Sequence, residues 1–316
     1  MSAAIGLMFP GQGSQAVGML GDLAEVHPVI GETFAEASAA LGEDLWALVR
    51  SGPADALDRT ENTQPALLTA SVAVWRAWQR AGGASPRVAA GHSLGEYSAL
   101  VAAGALDLAA GVRLVRERAR LMQVAVPQGE GAMAAILGLD AEAVERCCLE
   151  AAAGGIVAPA NYNAPGQVVI AGDAAAIERA VAACKAAGAK RAMPLSVSVP
   201  SHCALMRPAA DAFASVLDAV TLSVPTFPVI HNVDAQPCQD PASIRKQLLA
   251  QLYSPVRWTD CVAAMADLGA EVLLECGPGK VLGGLQKRID RDLSTHALGD
   301  VGGFEAARAQ FAGQSS

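Results

Sequence analysis

The chain has 316 residues, 52% of them apolar and only 4% aromatic, and a formal net charge of −8. This length can bury a sizeable core in one large or two smaller domains, and the acidic balance speaks against a nucleic-acid partner. Apolar runs are too short for a membrane span, and the start lacks the basic flank of a leader. The seven cysteines show no C-x-x-C spacing, so reduced thiols and a cytoplasmic location are expected. The histidines show no H-E-x-x-H or paired ligand spacing, so no metal site is expected.

Residues 5–9 read as a buried strand feeding the loop Pro10-Gly11-Gln12-Gly13-Ser14-Gln15. That loop lacks the Lys-Ser/Thr ending of a Walker loop and the G-x-G-x-x-G spacing. Two readings stay open: a plain strand-to-helix turn, or a loop that brings backbone N–H groups and the Gln12 side chain to a substrate. Helices are expected over residues 23–41 and 66–80, the second preceded by Thr63-Gln64-Pro65 and ended by Gly82-Gly83.

Residues 88–90 then form a short apolar strand, and a helix is expected over 96–103. Between them Gly91-His92-Ser93-Leu94-Gly95 fits the G-x-S-x-G nucleophile elbow. Serine is a weak nucleophile, and a sharp turn holds it exposed. Glycines two residues to either side let strand and helix pass without Cβ clashes. The Leu94 N–H and the helix N-terminus would face an oxyanion forming beside Ser93. An ordinary βα turn with a capping serine is the plainer alternative.

A helix over residues 108–126 puts Leu108, Val112, Val115, Ala119, Met122 and Val126 on one face. Arg113, Arg116, Glu117 and Arg120 lie opposite, whereas Arg118 projects on the flank of the apolar face. It either snorkels to water or clamps an anionic partner such as a carboxylate. From Gly131 the period changes. Strand 132–139, helix 140–153, strands 156–161 and 167–171, helix 173–187 and strand 190–199 make a βαββαβ order, the ferredoxin-like pattern. It is locally complete, so an inserted small domain is expected at 128–198, with 1–127 and 199–316 forming a discontinuous large domain.

Pro200-Ser201-His202-Cys203 precedes a helix over 204–217. His202 is either a cap or surface group, or a general base returned to the side of Ser93. Cys203, a rival nucleophile, has no elbow of its own. Strands at 229–232 and 271–276 alternate with helices at 243–252, 258–268 and 281–290, which describes a parallel sheet flanked by helices. Beyond Asp300 the chain reads as a frayed tail.

Taken together, Phe9 to Gln15, Gly91 to Ser98, Arg118, Asn161 to Gln167, Val199 to Cys203, Gln251 to Pro255 and Glu275 to Gly279 resemble the malonyl-CoA:acyl carrier protein transacylases. The likeness runs in order from about residue 5 to residue 300. It implies an α/β-hydrolase-like large domain with an inserted ferredoxin-like small domain. It also implies a transfer of malonyl from malonyl-CoA to the phosphopantetheine thiol of acyl carrier protein for fatty acid synthesis. Ser93 would be the nucleophile that becomes malonylated, and His202 its base. Gln251 would orient His202 through its backbone carbonyl, and the Leu94 N–H and Gln12 would form the oxyanion hole. Arg118 would hold the free carboxylate, with Met122 and Asn163 lining the pocket. No cofactor is implied, since CoA and phosphopantetheine enter as parts of the substrates, and a monomer is expected.

The nearest rival, a serine esterase, needs an acid between Ser93 and His202 in chain order, for which Asp140 and Asp173 are the candidates. A non-catalytic subunit that only recruits carrier protein is the rival from another class. An acidic carrier would dock on basic groups; Lys185, Lys190 and Arg191, with Lys287 and Arg288 opposite, are candidates, and Arg113, Arg116 and Arg120 form a second patch.

Overall fold

The computed structural model describes residues 3–195 and 199–312. Among the described residues nine strands run in chain order: β1 (Ile5–Phe9), β2 (Val88–Gly91), β3 (Gly131–Leu137), β4 (Val157–Ala164), β5 (Gln167–Asp173), β6 (Arg191–Pro194), β7 (Val229–Ile230), β8 (Val272–Glu275) and β9 (Ser294–Ala297). Five form a sheet in the order β7-β2-β1-β8-β9, and every neighbouring pair is parallel. All of β1, β2 and β8 is buried. Helices cover both faces of such a sheet, so its strands read as unbroken apolar runs without alternation. The loops leaving β1, β2, β7 and β8 therefore gather at one edge, the carboxyl end of the sheet, where open α/β folds place their sites.

The other four strands form an antiparallel sheet in the order β4-β5-β3-β6. With helices Ala141–Ala152 and Ala174–Ala186 packed on one face, this is the ferredoxin-like arrangement expected from the period change. Its other face carries Met133, Ala160, Val169 and Ala171, which pack with Cys203 of the large domain. The Tyr162 N–H donates to the Val256 carbonyl at 2.9 Å, and the Val256 N–H to that of Ala160 at 2.8 Å, so β4 is tied to the chain before helix Trp258–Asp267.

Several expected elements shift, each for a physical reason. The single helix expected over 23–41 is two, Gly21–Val26 and Val29–Leu41, because Pro28 has no N–H to continue the first. The helix expected from residue 66 begins earlier, as Thr60–Arg80, with Pro65 inside it. Pro65 forfeits one intrahelical bond, yet burial of residues on nearly every side of this helix outweighs that loss. Two short helices, Leu45–Ser51 and Ala54–Leu57, and strand β9 were not expected. The strand expected over 190–199 is β6, residues 191–194, and residues 196–198 lie outside the described part. The frayed tail is instead a helix, Val301–Phe311, capped by Asp300, whose side chain accepts from the Gly303 N–H at 2.7 Å. Phe304, Ala307 and Phe311 bury one face of it.

Candidate active site

Ser93 stands at φ +52° between β2 and helix Gly95–Ala102, a strained conformation held by its surroundings. The flanking glycines are required by contact. A Cβ at position 91 would lie 1.9 Å from the Gly95 carbonyl, and one at 95 would lie 2.0 Å from the Phe9 carbonyl oxygen. Leu94 is fully buried, and its N–H belongs to the opening turn, where N–H groups have no intrahelical carbonyl. The β1 loop lies against this turn: a Cβ on Gly11 would come within 2.6 Å of the His92 carbonyl oxygen. Gln12 follows, exposed, on the same loop.

His202 reaches the serine. Its Nε2 lies 2.7 Å from Ser93 Oγ, and its Nδ1 lies 2.8 Å from the Gln251 backbone carbonyl. A carbonyl only accepts, so Nδ1 carries the hydrogen and Nε2 is left as an acceptor for the serine hydroxyl. His202 sits at φ +63°, anchored by its own N–H to the Leu252 carbonyl at 3.0 Å. Burial, and then the Arg118 charge, lower its basicity to a pKa of about 3, against a raising contribution from the Gln251 carbonyl. The ring is therefore neutral at physiological pH, with Nε2 free to accept a proton. Neither esterase candidate is its partner: Asp140 accepts from the Ala143 N–H at 2.7 Å, and Asp173 from the Ile156 N–H at 2.6 Å. Asp173 occupies a helix N-cap position, but its side chain latches a loop. Cys203 is buried, which pushes its thiol up to about 11 and leaves it unreactive.

Arg118 lies on helix Leu108–Ala125 and is fully buried; it does not snorkel. Its Nη1 donates to Gln64 Oε1 at 2.9 Å and its Nη2 to Gln251 Oε1 at 3.0 Å, and Nη2 stands 3.4 Å from Ser93 Oγ. The guanidinium carbon lies 5.4 Å from the centre of the Tyr97 ring. Burial lowers its basicity, while Tyr97 and Glu96 oppose that, and an arginine remains charged there. Arg118 Nε and Gln64 Nε2 are buried donors with no acceptor among the described residues. Buried donors are normally satisfied. Two unsatisfied ones beside Ser93 suit a ligand that brings acceptors. Met122 is buried one turn beyond Arg118. Asn163 accepts through Oδ1 from His92 Nε2 at 2.8 Å, directly before the serine.

Beneath the elbow is a buried polar set of which sequence reasoning names a role only for Gln251. Glu96 Oε1 lies 2.7 Å from His231 Nδ1; Glu96 Oε2 accepts from the Asn232 N–H at 2.9 Å and from Gln251 Nε2 at 2.8 Å. All four residues are fully buried. Burial alone would lower the His231 pKa, but the Glu96 carboxylate and the hydrogen bonds around the ring outweigh it and raise it to about 10. Glu96 and His231 thus balance, and Arg118 leaves the buried set with one positive charge in excess. Glu96 was visible within the elbow stretch, where a carboxylate among Leu94, Tyr97 and Ala99 needs a buried partner. Nothing near residue 96 named His231, which arrives from β7.

Of the expected basic patches, Lys185, Lys190 and Arg191 are exposed on the small domain. Arg288, expected opposite, touches that domain: it donates to Gln167 Oε1 at 2.6 Å and to the Pro165 carbonyl at 3.3 Å. The second patch is already engaged, since Arg116 pairs with Glu43, Arg120 with Glu117, and Arg113 donates to the Ala40 carbonyl. A cavity of about 820 Å³ lined by Asp55, Asp58, Arg59, Thr60, Glu61, Gln123 and Gln128 contains none of the Ser93 groups. No group of His, Cys, Asp and Glu among the described residues could hold a metal ion, and no helix there is long and apolar enough to cross a membrane.

Residues 7–306 match the acyl transferase domain family. Over 300 residues the chain is 60% identical to the malonyl CoA-acyl carrier protein transacylase of Escherichia coli, covering 95% of this chain and 97% of that one. It is 47% identical to the Bacillus subtilis protein of the same name over 304 residues, 96% of each chain. The solved malonyl CoA-acyl carrier protein transacylase of Coxiella burnetii superposes with a TM-score of 0.97 at 48% identity, covering 99% of both chains. A malonyl-transacylase in complex with a type II PKS acyl carrier protein superposes at 0.95 with 57% identity, covering 96% of this chain and 99% of that one. With Ser93 on a sharp strand-to-helix turn, a histidine oriented toward it and a buried arginine beside it, this chain belongs to the acyl transferase family, among the malonyl CoA-acyl carrier protein transacylases, and is an acyltransferase.

Proposed function

We propose that this chain moves malonyl from malonyl-CoA to the phosphopantetheine thiol of acyl carrier protein through a malonyl-Ser93 intermediate, supplying fatty acid elongation. The observation that carries the reading is one oxygen with two neighbours: Ser93 Oγ lies 2.7 Å from His202 Nε2 and 3.4 Å from Arg118 Nη2. In the first half-reaction His202 Nε2 takes the hydroxyl proton as Oγ attacks the thioester carbonyl. The oxyanion forms at the Leu94 N–H and Gln12. Collapse expels CoA sulfur, which takes the proton from His202. In the second half the carrier thiol gives its proton to His202 and attacks the acyl carbon, and Ser93 Oγ leaves with that proton.

The electrostatics support the malonyl choice. A free carboxylate at Arg118 brings the buried set to neutrality, whereas an acetyl group leaves the guanidinium without a counter-charge. Orientation of His202 by a neutral carbonyl in place of an aspartate stabilises its imidazolium less. A thiol acceptor needs less help than water, so this favours transfer over hydrolysis. Gln251 acts through its carbonyl, and Met122 and Asn163 line the acyl pocket. The small domain comprises 128–198, and Lys185, Lys190 and Arg191 on it face the acidic carrier. The enzyme works as a cytoplasmic monomer without cofactor.

Intact-protein mass spectrometry after brief mixing with malonyl-CoA tests this. A malonyl adduct on the Ser93 peptide that moves to a phosphopantetheinylated carrier is expected, and Ser93→Ala should form none. An adduct that decays to malonate with or without carrier indicates a hydrolase. Transfer at the normal rate by Ser93→Ala ends the reading.

A further inference from the structure

The nucleophile's own peptide group is held on both sides by buried side chains. The Ser93 N–H donates to Asn232 Oδ1 at 2.8 Å, and the Ser93 carbonyl accepts from Gln251 Nε2 at 3.0 Å. Asn232 Nδ2 also donates to the Gly91 carbonyl at 2.8 Å, so this one amide grips the elbow on either side of His92. Both holding residues are fastened to the same carboxylate, Asn232 by its main-chain N–H and Gln251 by Nε2. Gln251 is also the residue whose backbone carbonyl orients His202. Glu96 thus joins three segments distant in sequence: the elbow helix, the chain leaving β7, and the end of helix Pro241–Gln251.

We propose that Glu96 is a positioning residue for acyl transfer: through Asn232 and Gln251 its carboxylate holds the Ser93 peptide and the carbonyl behind His202 in one rigid frame. The inference rests on Ser93 and His202 being nucleophile and base. Its logic is mechanical. Ser93 at φ +52° and His202 at φ +63° both occupy backbone conformations that relax unless the surroundings over-determine them. The 2.7 Å Oγ–Nε2 contact lies between those two strained residues, and a shift of about 1 Å there costs on the order of a hundredfold in rate. Arg118 hangs from Gln64 as well as Gln251, so carboxylate binding depends less on this frame than the chemistry does.

Glu96→Ala, Glu96→Gln and Asn232→Ala provide the test, each checked for folding by circular dichroism and thermal melting and assayed well below its melting point. Gln at 96 can keep the frame: its oxygen accepts from the Asn232 N–H and Gln251, and its amide donates to a His231 ring that has lost its Nδ1 proton. Glu96→Ala should lower kcat by on the order of a hundredfold while KM for malonyl-CoA stays within about twofold. Glu96→Gln should recover most of that loss, a rescue that a generally loosened core would not give. Should Glu96→Ala fail to fold, Asn232→Ala carries the test, since it leaves the Glu96–His231 pair intact and frees only the elbow; the same loss confined to kcat is expected. Folded variants with wild-type kcat, or a loss confined to KM, overturn the proposal. Wild-type protein malonylated on Ser93 alongside such variants would leave the Ser93 reading standing, whereas adduct on another residue overturns that reading and this inference with it.

Discussion

Replacing Arg118 by alanine isolates what charge contributes to substrate choice. The side chain is wholly buried, and its partners Gln64 Oε1 and Gln251 Oε1 are neutral. No carboxylate among the described residues lies at hydrogen-bond range of it, so a malonyl carboxylate would supply the full negative charge paired with it. Removing one member of a buried, hydrogen-bonded charge pair costs about 2–5 kcal/mol, and each 1.36 kcal/mol is a factor of ten in rate. The malonyl-over-acetyl ratio of kcat/KM should therefore fall by roughly 30- to 5,000-fold. The loss should fall on malonyl, because acetyl never paired with the guanidinium. A second consequence follows at His202. Arg118 is the second largest cause, after burial, of the low His202 basicity. Without it His202 becomes more basic, so Ser93 should react with a small neutral phosphonate at least as fast as in the parent protein. The assay is rapid-quench acyl-enzyme formation with malonyl-CoA and acetyl-CoA, read by intact mass, with the phosphonate run in parallel. A folded variant whose preference stays within threefold of the parent would show that Arg118 only fills space, and the charge argument would be wrong.

Stability should peak near neutral pH and decline on both sides. The His202 pKa is lowered from 6.5 to about 3 in the folded chain, so the unfolded chain binds the proton first and stability is lost as pH falls from about 6.5 to 3. His231 is raised to about 10, so its contribution is complete below about 6.5 and is lost as pH climbs to 10. Thermal melting across this range should show both limbs, and His231→Gln should flatten the alkaline one; an unchanged alkaline limb in that variant refutes the assignment. Phe304→Ala should lower stability by about 3–5 kcal/mol, since its ring is fully buried, 4.5 Å from the His27 ring centre and 5.9 Å from that of Trp78. Acyl transfer at 25 °C should persist in that variant, and an unaltered melting temperature would mean that helix Val301–Phe311 is not docked as described.

Much of this protein is legible in its sequence because it depends on neighbours along the chain. The elbow at Ser93 follows from glycines two residues away on either side, and the close approaches at Gly91 and Gly95 bear that out. The ferredoxin-like sheet follows from a change of hydrophobic period between residues 131 and 194. Where local signals were misjudged, burial decided against them. Pro65 looked like a helix boundary but lies within a helix enclosed by core, and the tail after Asp300 carried Phe304, Ala307 and Phe311 at helical spacing.

Other features could not be read from neighbours at all. Periodicity put Arg118 at the edge of an apolar face; only the packing of helix Leu108–Ala125 against helix Thr60–Arg80 and the end of helix Pro241–Gln251 buries it wholly beside Ser93. His231 and Asn232 are unremarkable in sequence, and Gln251, named only through the family resemblance, stands 155 residues from the Glu96 that it meets. A hydrogen bond depends on distance in space, and a parallel sheet collects its loops at one edge whatever their separation along the chain. The sequence alone determined which residue types stand on which turns and faces; tertiary structure decided which of them share a buried interior, where charge and hydrogen bonding are stronger than in water.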